Sequence, residues 1–199
     1  DKYSGTGMIR ILGSLGLGVR DCSLRAELPQ SELQHARQLI HFRKPSKDVL
    51  TVGIDPGKGK TRHSVVPETI AYLANNLAGR MKVKFLLLMD PFSEKLAERL
   101  TGELRGDVID LEPSSNVETL ALLAGCDLFL AGNTDLFHFA AAFGVPTVGL
   151  FTRHDGPEWI PEDSPNVRIF KGVKGEKLPL KAFFEKVEEA LASREGEPV

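Results

Sequence analysis

The sequence predicts an α/β domain built on a doubly wound, parallel sheet of about six strands. From residue 48 onward, short apolar segments alternate with longer amphipathic ones, which is the order expected of repeated strand–helix–strand units. The apolar segments at 127–131 and 146–151 are nearly continuous, as is typical of strands that helices cover on both faces. A chain of 199 residues is long enough for one such domain and an extension.

The predicted elements follow in a regular order. An extension of two helices, at 1–20 and 31–43, occupies residues 1–46 and ends at a polar break, and the domain occupies residues 47–199. In the domain, strands are predicted at 49–54, 83–89, 107–111, 127–131, 146–151 and 167–170, and helices at 67–79, 92–103, 116–125, 135–144 and 179–193.

Local signals mark both ends of the predicted helix 116–125. Ser115 and Glu118 have the spacing of a capping box, in which each side chain accepts a hydrogen bond from a backbone N–H near the helix start. Gly125 is predicted to end the helix in a left-handed turn.

Composition excludes several classes of function. The net charge of −2 and the scattered Lys and Arg residues argue against a nucleic-acid partner. Two distant cysteines, Cys22 and Cys126, fit a reducing cytoplasm rather than a disulfide framework, and no His/Cys spacing indicates a metal site. No apolar run is long enough to predict a transmembrane helix.

The most informative segment is a polar turn, 132–135, between an apolar strand and a helix of small residues. It places a helix N-terminus at the C-terminal edge of a strand, where open α/β sheets bind ligands and where N–H groups and the helix dipole favour a phosphate. Thr134 and His138 lie four residues apart and so share one helix face. These residues fit a diphosphate site, and they fit equally an N-cap beside a packed histidine.

The segment 132–161 resembles glycosyltransferase family 9, which contains the ADP-heptose:lipopolysaccharide heptosyltransferases. That family has an Asp or Asn, a Ser or Thr, a Gly, two further residues and a His, then an Ala-rich helix, Gly-x-Pro-Thr and a Phe-ended strand. The corresponding positions here are Asn133, Thr134, Asp135, His138, 140–142, Gly144, Val145, Pro146, Thr147 and Phe151, and the downstream Asp155, Trp159 and Pro161 fit the family's next loop.

The resemblance implies the C-terminal, Rossmann-like nucleotide-sugar domain of a two-domain GT-B fold, with residues 1–46 as helices of the inter-domain linker. It implies the donor-binding half of a glycosyltransferase that moves a heptose or similar sugar from a nucleotide-diphosphate donor to a lipopolysaccharide-core acceptor. We expect the donor to be ADP-heptose. The glycolipid acceptor and the catalytic base would belong to an N-terminal half that this chain lacks, so we expect the chain alone to be inactive. We expect no cofactor beyond the donor substrate, and a cytoplasmic enzyme that associates peripherally with the inner face of the bacterial inner membrane.

Basic residues follow the first predicted strand. The segment 55–61 ends in Gly-Lys-Thr like a P-loop, but the required earlier glycine is Ile54, which excludes that motif. Lys60 and Arg62 could neutralise a departing diphosphate, or could belong to a solvated basic loop. The resembling family has Lys-Arg-Trp-Pro where this chain has 63–66, so we expect Lys60 or Arg62 to substitute from nearby.

Glu94 has a family counterpart that reaches the nucleotide ribose, although an acid in a first helical turn also fits the helix dipole alone. The sequence contains no Asp-x-Asp motif, which favours metal-independent transfer.

Asp135 departs from the family, which has Gly at this position. A carboxylate facing a diphosphate would repel it, so Asp135 should point away, accept a hydrogen bond from a sugar hydroxyl, or mark a different donor. This departure keeps an alternative function open, namely a non-catalytic nucleotide-binding or interaction domain that retained the fold.

Overall fold

A computed structural model describes residues 26–43, 46, 48–55, 57, 65–88, 94–152, 164–171 and 178–193. The described helices are α1 (Gln30–Arg43), α2 (Pro67–Ala78), α3 (Glu94–Glu103), α4 (Asn116–Ala124), α5 (Asp135–Ala142) and α6 (Leu180–Ala192). The described strands are β1 (Leu50–Ile54), β2 (Val83–Leu87), β3 (Val108–Ile109), β4 (Leu128–Ala131), β5 (Thr147–Phe151) and β6 (Val167–Lys171).

The six strands form one parallel sheet in the order β3-β2-β1-β4-β5-β6. The chain builds outward in one direction from β1 and then in the other direction from β4. The C-terminal ends of these two neighbouring strands therefore form the switch point, where the connections diverge and leave a crevice for a ligand. This topology confirms the predicted doubly wound parallel fold.

Both faces of the sheet are covered by helices. Leu128 and Leu130 of β4 belong to an apolar cluster with α2, α3 and α6. Phe129 and Ala131 of the same strand belong to a second cluster with α1, α4 and α5. Since successive strand residues point to opposite faces, burial on both sides requires the nearly continuous apolar runs seen in the sequence.

The outermost strand, β3, is shorter than predicted. The sequence pattern extends over 107–111, but only Val108 and Ile109 pair with β2. The other edge strand, β6, pairs over all five of its residues, so an edge position alone does not make β3 short.

Helix α1 packs against the domain, and its contact with Gly125 shows that the conformation predicted for that glycine was wrong. Ala36 and Ile40 are buried in the cluster that contains α4. Gly125 does not adopt the predicted left-handed conformation, because its φ of −86° and ψ of −6° are right-handed. A Cβ at this position would instead lie 2.8 Å from Ile40 Cδ1, so the glycine makes room for α1. The boundary between residues 46 and 47 stays a prediction, and the expected helix at 1–20 lies outside the described residues.

The start of α4 confirms the predicted cap with one change. Ser115 Oγ accepts a hydrogen bond from the Glu118 N–H at 3.2 Å. The Glu118 carboxylate accepts from the N–H of Ser114 at 2.7 Å and from its hydroxyl at 2.6 Å, one residue earlier than a capping box places it. These hydrogen bonds lower the pKa of Glu118. Capping thus accounts for both serines.

Two fully buried threonines provide a test of the packing. Thr147 Oγ1 donates to Val145 O at 2.7 Å, whereas Thr51 Oγ1 has no hydrogen-bond partner in the part of the chain that the structure describes. We expect Thr51→Val to raise the free energy of unfolding by about 1 kcal/mol, because it removes a buried unpaired hydroxyl. Thr147→Val should lower the same free energy by about 0.5–1.5 kcal/mol, the net value of one hydrogen bond. Urea denaturation measures both. Equal destabilisation by the two substitutions would mean that Thr51 has a partner, such as a buried water.

Candidate functional site

The candidate site lies where β1 and β4 end. The Asp55 N–H, directly after β1, donates to Leu130 O of β4 at 3.1 Å, which joins the two strand ends. The Asp55 side chain is buried, and its Oδ1 accepts from the Gly57 N–H at 2.8 Å. Gly57 has a φ of +87°, which glycine adopts without strain. The chain after β1 therefore begins with a turn held by a carboxylate that the sequence reasoning did not select.

Thr134 caps the start of α5. Its backbone is extended, with φ −130° and ψ 168°, and its Oγ1 accepts from the Phe137 N–H at 3.3 Å. The side chain is only 6% exposed. A hydroxyl that accepts one hydrogen bond still has a proton to donate, so Thr134 can cap the helix and bind an anion at the same time.

Close packing fixes α5 against the sheet. Phe137, in the first turn of the helix, makes an edge-on contact with Phe151 of β5, with ring centroids 5.3 Å apart. A Cβ at Gly149 would lie 2.8 Å from Phe137 Cε2 and 2.5 Å from Phe151 Cε2. Only glycine at 149 leaves the space that this ring pair occupies, so a residue of β5 sets how closely α5 approaches the strand edge.

The C-terminus of α5 is also fixed. Val145 N–H donates to Ala140 O at 3.0 Å and Gly144 N–H to Ala141 O at 3.3 Å, with Gly144 at φ +73°, which is a Schellman motif. The buried Asn166 side chain donates to Val145 O at 2.9 Å and to Ala141 O at 3.3 Å. Asn166 was missed from the sequence because it lies more than twenty residues from its partners, where no local pattern marks it.

His138 is half-buried beside this helix start. Its ring meets Phe137 edge-on at 5.4 Å, and its Nδ1 is buried without a hydrogen-bond partner among the described residues. Burial lowers the pKa of His138, and the nearby charge of Asp135 opposes this effect. The imidazole is therefore predominantly neutral at pH 7 and gains a proton most readily when a further negative charge arrives.

The structure brings together four of the seven residues predicted for the donor site. Asn133, Thr134, Asp135 and His138 surround the start of α5, with the side chains of Asn133 and Asp135 exposed. Lys60 and Arg62 lie outside the described residues. Glu94 is the first residue of α3, which follows β2, but its side chain is not among those described.

Two absences hold for the residues that the structure describes. In these, no group of three or more His, Cys, Asp or Glu side chains is arranged to hold a metal ion. None of the described helices is both long enough and apolar enough to cross a membrane.

Comparison with known families identifies the relatives of this chain. The family model of glycosyltransferase family 9 (heptosyltransferase) matches residues 67–181, which is more than half of the chain. The chain belongs to this family. The match spans the whole of α5 and both strands that hold it.

Individual relatives cover different shares of the chain. Lipooligosaccharide heptosyltransferase 2 of Haemophilus influenzae is 27% identical over 93 residues, which is 46% of this chain and 27% of that protein. The family 9 glycosyl transferase of Veillonella parvula has a similar structure, with a TM-score of 0.78, 15% identity and coverage of 96% of this chain and 60% of that one. ADP-heptose LPS heptosyltransferase II of E. coli gives a TM-score of 0.69 at 17% identity, with coverage of 92% and 58%. The chain therefore spans about a quarter of its curated relative and less than two thirds of these solved structures, whose similarity shows a shared fold.

The lowered pKa of His138 predicts how stability depends on pH. The folded chain releases the His138 proton more readily than the unfolded chain, whose histidine titrates near its ordinary value of 6.5. The stability that this difference contributes is complete above that value and is lost as pH falls through the lower folded pKa. We expect the free energy of unfolding of the wild type, relative to His138→Gln, to fall as pH decreases from above 6.5 through the lower folded pKa of His138.

Urea denaturation of both proteins across that range measures the effect, and the common titrations of all other groups cancel in the difference. A difference that stays constant, or that grows toward acid pH, would contradict a neutral, desolvated His138.

Proposed function

We propose that this chain is the donor-binding half of a glycosyltransferase that moves a heptose or similar sugar from a nucleotide sugar to a lipopolysaccharide-core type of glycolipid. The observation that carries the proposal is the Thr134-capped start of α5 at the β1/β4 switch point. A helix N-terminus at this edge of a parallel sheet is the arrangement that binds the phosphates of nucleotides in open α/β folds.

The site favours the departure of a nucleoside diphosphate. Negative charge on the diphosphate increases as the bond to the sugar breaks, and fixed donors at the helix start stabilise that charge without rearranging. The Thr134 hydroxyl can donate to a phosphate oxygen. The half-buried His138, whose pKa is lowered without ligand, would gain a proton and a favourable charge when the diphosphate binds.

The remaining donor contacts are proposed from the family resemblance. Lys60 and Arg62 follow β1 and would supply cations for the diphosphate, and Glu94 at the start of α3 would bind the ribose hydroxyls. No further cofactor is proposed, since the nucleotide sugar is itself the activated substrate.

The relatives support ADP-heptose as the donor. The matched Haemophilus protein is a lipooligosaccharide heptosyltransferase, and the E. coli heptosyltransferase WaaC has been solved with ADP.

Because the chain covers 54% of that structure, we propose that an N-terminal half supplies the acceptor site and the catalytic base. Without that half the chain would transfer no sugar, since positioning both substrates contributes roughly 7–11 kcal/mol to lowering the barrier. We place the whole enzyme in the cytoplasm, peripherally attached at the inner face of the inner membrane.

Asp135 favours a second candidate, a nucleotide-binding domain without transfer activity. It places a carboxylate at the helix start, where the family has glycine, and its charge acts on His138. This candidate binds ADP as the first does, but it would remain inactive when the N-terminal half is supplied. Transfer by the two halves together would exclude it.

Calorimetric titration with ADP, UDP and GDP tests the site. We expect ADP to bind, and Thr134→Ala and His138→Ala each to weaken ADP binding by about 10- to 150-fold, because each removes one hydrogen bond to a charged phosphate, worth about 1.5–3 kcal/mol. Unchanged ADP affinity in both variants would mean that the nucleotide binds elsewhere.

Ser115→Ala is the matched control for Thr134→Ala. It removes the cap of α4, whose geometry is the same, with Oγ 3.2 Å from a backbone nitrogen against 3.3 Å at Thr134. Both substitutions should lower the free energy of unfolding by about 1 kcal/mol. Only Thr134→Ala should change nucleotide affinity, which separates a role in binding from a role in helix stability.

The charge of Asp135 predicts a gain of affinity on substitution. Asp135→Gly should tighten ADP binding about three- to tenfold, because a like charge a few ångströms from the diphosphate is removed, and the gain should be larger at low salt than at high salt. The cost in stability should be about 0.3–1 kcal/mol, since an acid in the first helical turn interacts with the dipole. Titration at two salt concentrations, with Asp135→Asn as the variant that keeps the shape, measures the effect. Weaker binding in both variants would instead show that Asp135 contacts the ligand, as a sugar-hydroxyl acceptor does.

A further inference from the structure

Thr152 has a buried hydroxyl at the end of β5. It directly follows β5 and is 4% exposed, and its Oγ1 has no hydrogen-bond partner among the described residues. Buried hydroxyls in folded proteins are almost always hydrogen-bonded, because an unpaired one costs free energy. An unpaired hydroxyl therefore indicates either a defect of packing or a group that a ligand satisfies.

The position of Thr152 favours a ligand. β4 and β5 pair in parallel, with Ala131 opposite Gly149, so the residues that follow both strands lie at the same edge of the sheet. A Cβ at Gly132 would lie 3.7 Å from Leu150 O, two residues before Thr152. The end of β5 therefore lies directly beside the turn that leads into α5, at the edge where the diphosphate is proposed to bind.

The strand order indicates which part of the ligand is nearest. In the order β2-β1-β4-β5, the helix that Glu94 begins follows β2, on one side of the switch point, and Thr152 follows β5 on the other side. A nucleotide sugar with its ribose toward Glu94 and its diphosphate at the start of α5 directs its sugar toward β5. This orientation rests on the proposed function and on the ribose contact proposed for Glu94.

We propose that the Thr152 hydroxyl hydrogen-bonds a hydroxyl of the transferred sugar and so contributes to donor recognition. A threonine hydroxyl donates one hydrogen bond and accepts others, which suits a sugar hydroxyl of the same kind. Thr152 carries no charge, so it would add selectivity for the sugar without adding affinity for the diphosphate. Among the described residues this hydroxyl has no partner, and the bound sugar would provide one.

Titration of ADP and of ADP-heptose tests this contact, because the sugar of ADP-heptose keeps every hydroxyl and the chain alone is proposed to transfer no sugar. Thr152→Val keeps the shape of the side chain and removes the hydroxyl. We expect Thr152→Val to weaken binding of the nucleotide sugar about five- to tenfold and to change the affinity for ADP less than about twofold, since only the sugar contact is lost. Thr152→Ser should bind the nucleotide sugar nearly as tightly as the wild type does.

Thr51→Val is the matched control, because Thr51 carries a second buried hydroxyl that has no partner among the described residues, near the start of β1 and away from the ligand edge. Both valine variants should raise the midpoint of thermal unfolding, and only Thr152→Val should weaken binding of the nucleotide sugar.

Unchanged affinity for the nucleotide sugar in Thr152→Val would overturn the proposal and leave a packing defect. Equal weakening of ADP binding and of nucleotide-sugar binding would also overturn the proposal, since the Thr152 contact would then be to phosphate. If the wild type binds neither ligand, the proposed function fails together with this contact, whereas binding that is insensitive to Thr152 leaves that function intact.

Discussion

The candidate site depends on how closely α5 approaches the sheet. The ring pair of Phe137 and Phe151 occupies the space that Gly149 leaves empty, so this contact sets the distance of the helix from β5. The Schellman motif and the Asn166 amide hold the other end of the helix. Because both ends and one face are fixed, the N-terminus of α5 is held at the switch point before any ligand arrives. A site preorganised in this way loses little free energy on binding.

At the start of α5, partial burial shapes the electrostatics of Thr134 and His138. Thr134 contributes a neutral hydroxyl, and desolvation favours the neutral form of His138. Asp135 is the exception, because it adds a negative charge in the first turn of the helix, where the helix dipole stabilises it. The same residue is favourable for the isolated helix and unfavourable for an anionic ligand. That conflict is the physical basis of the two functions proposed for this chain.

Some of the site could be predicted from the sequence because the relevant interactions are local. The cap at Thr134, its distance of four residues from His138 and the turn that precedes them all lie within one short segment. Local signals failed where a distant residue decided the geometry. Gly125 was expected to supply a left-handed turn, but it adopts a right-handed conformation and makes room for Ile40 of α1. Asn166 and Gly149 support α5 from other strands or turns, and no spacing along the chain connects them to it.

The sequence by itself determined the alternation of strands and helices, the parallel sheet and the polar turn before α5. These follow from hydrophobic periodicity and capping, which act between residues that are near one another in the chain. Only the tertiary structure decided the strand order, the close approach at Gly149 and the burial of Asp55 and of the Thr152 hydroxyl. Each of these depends on which side chains meet across the sheet, and contacts between residues distant in sequence leave no periodic signal in a single chain.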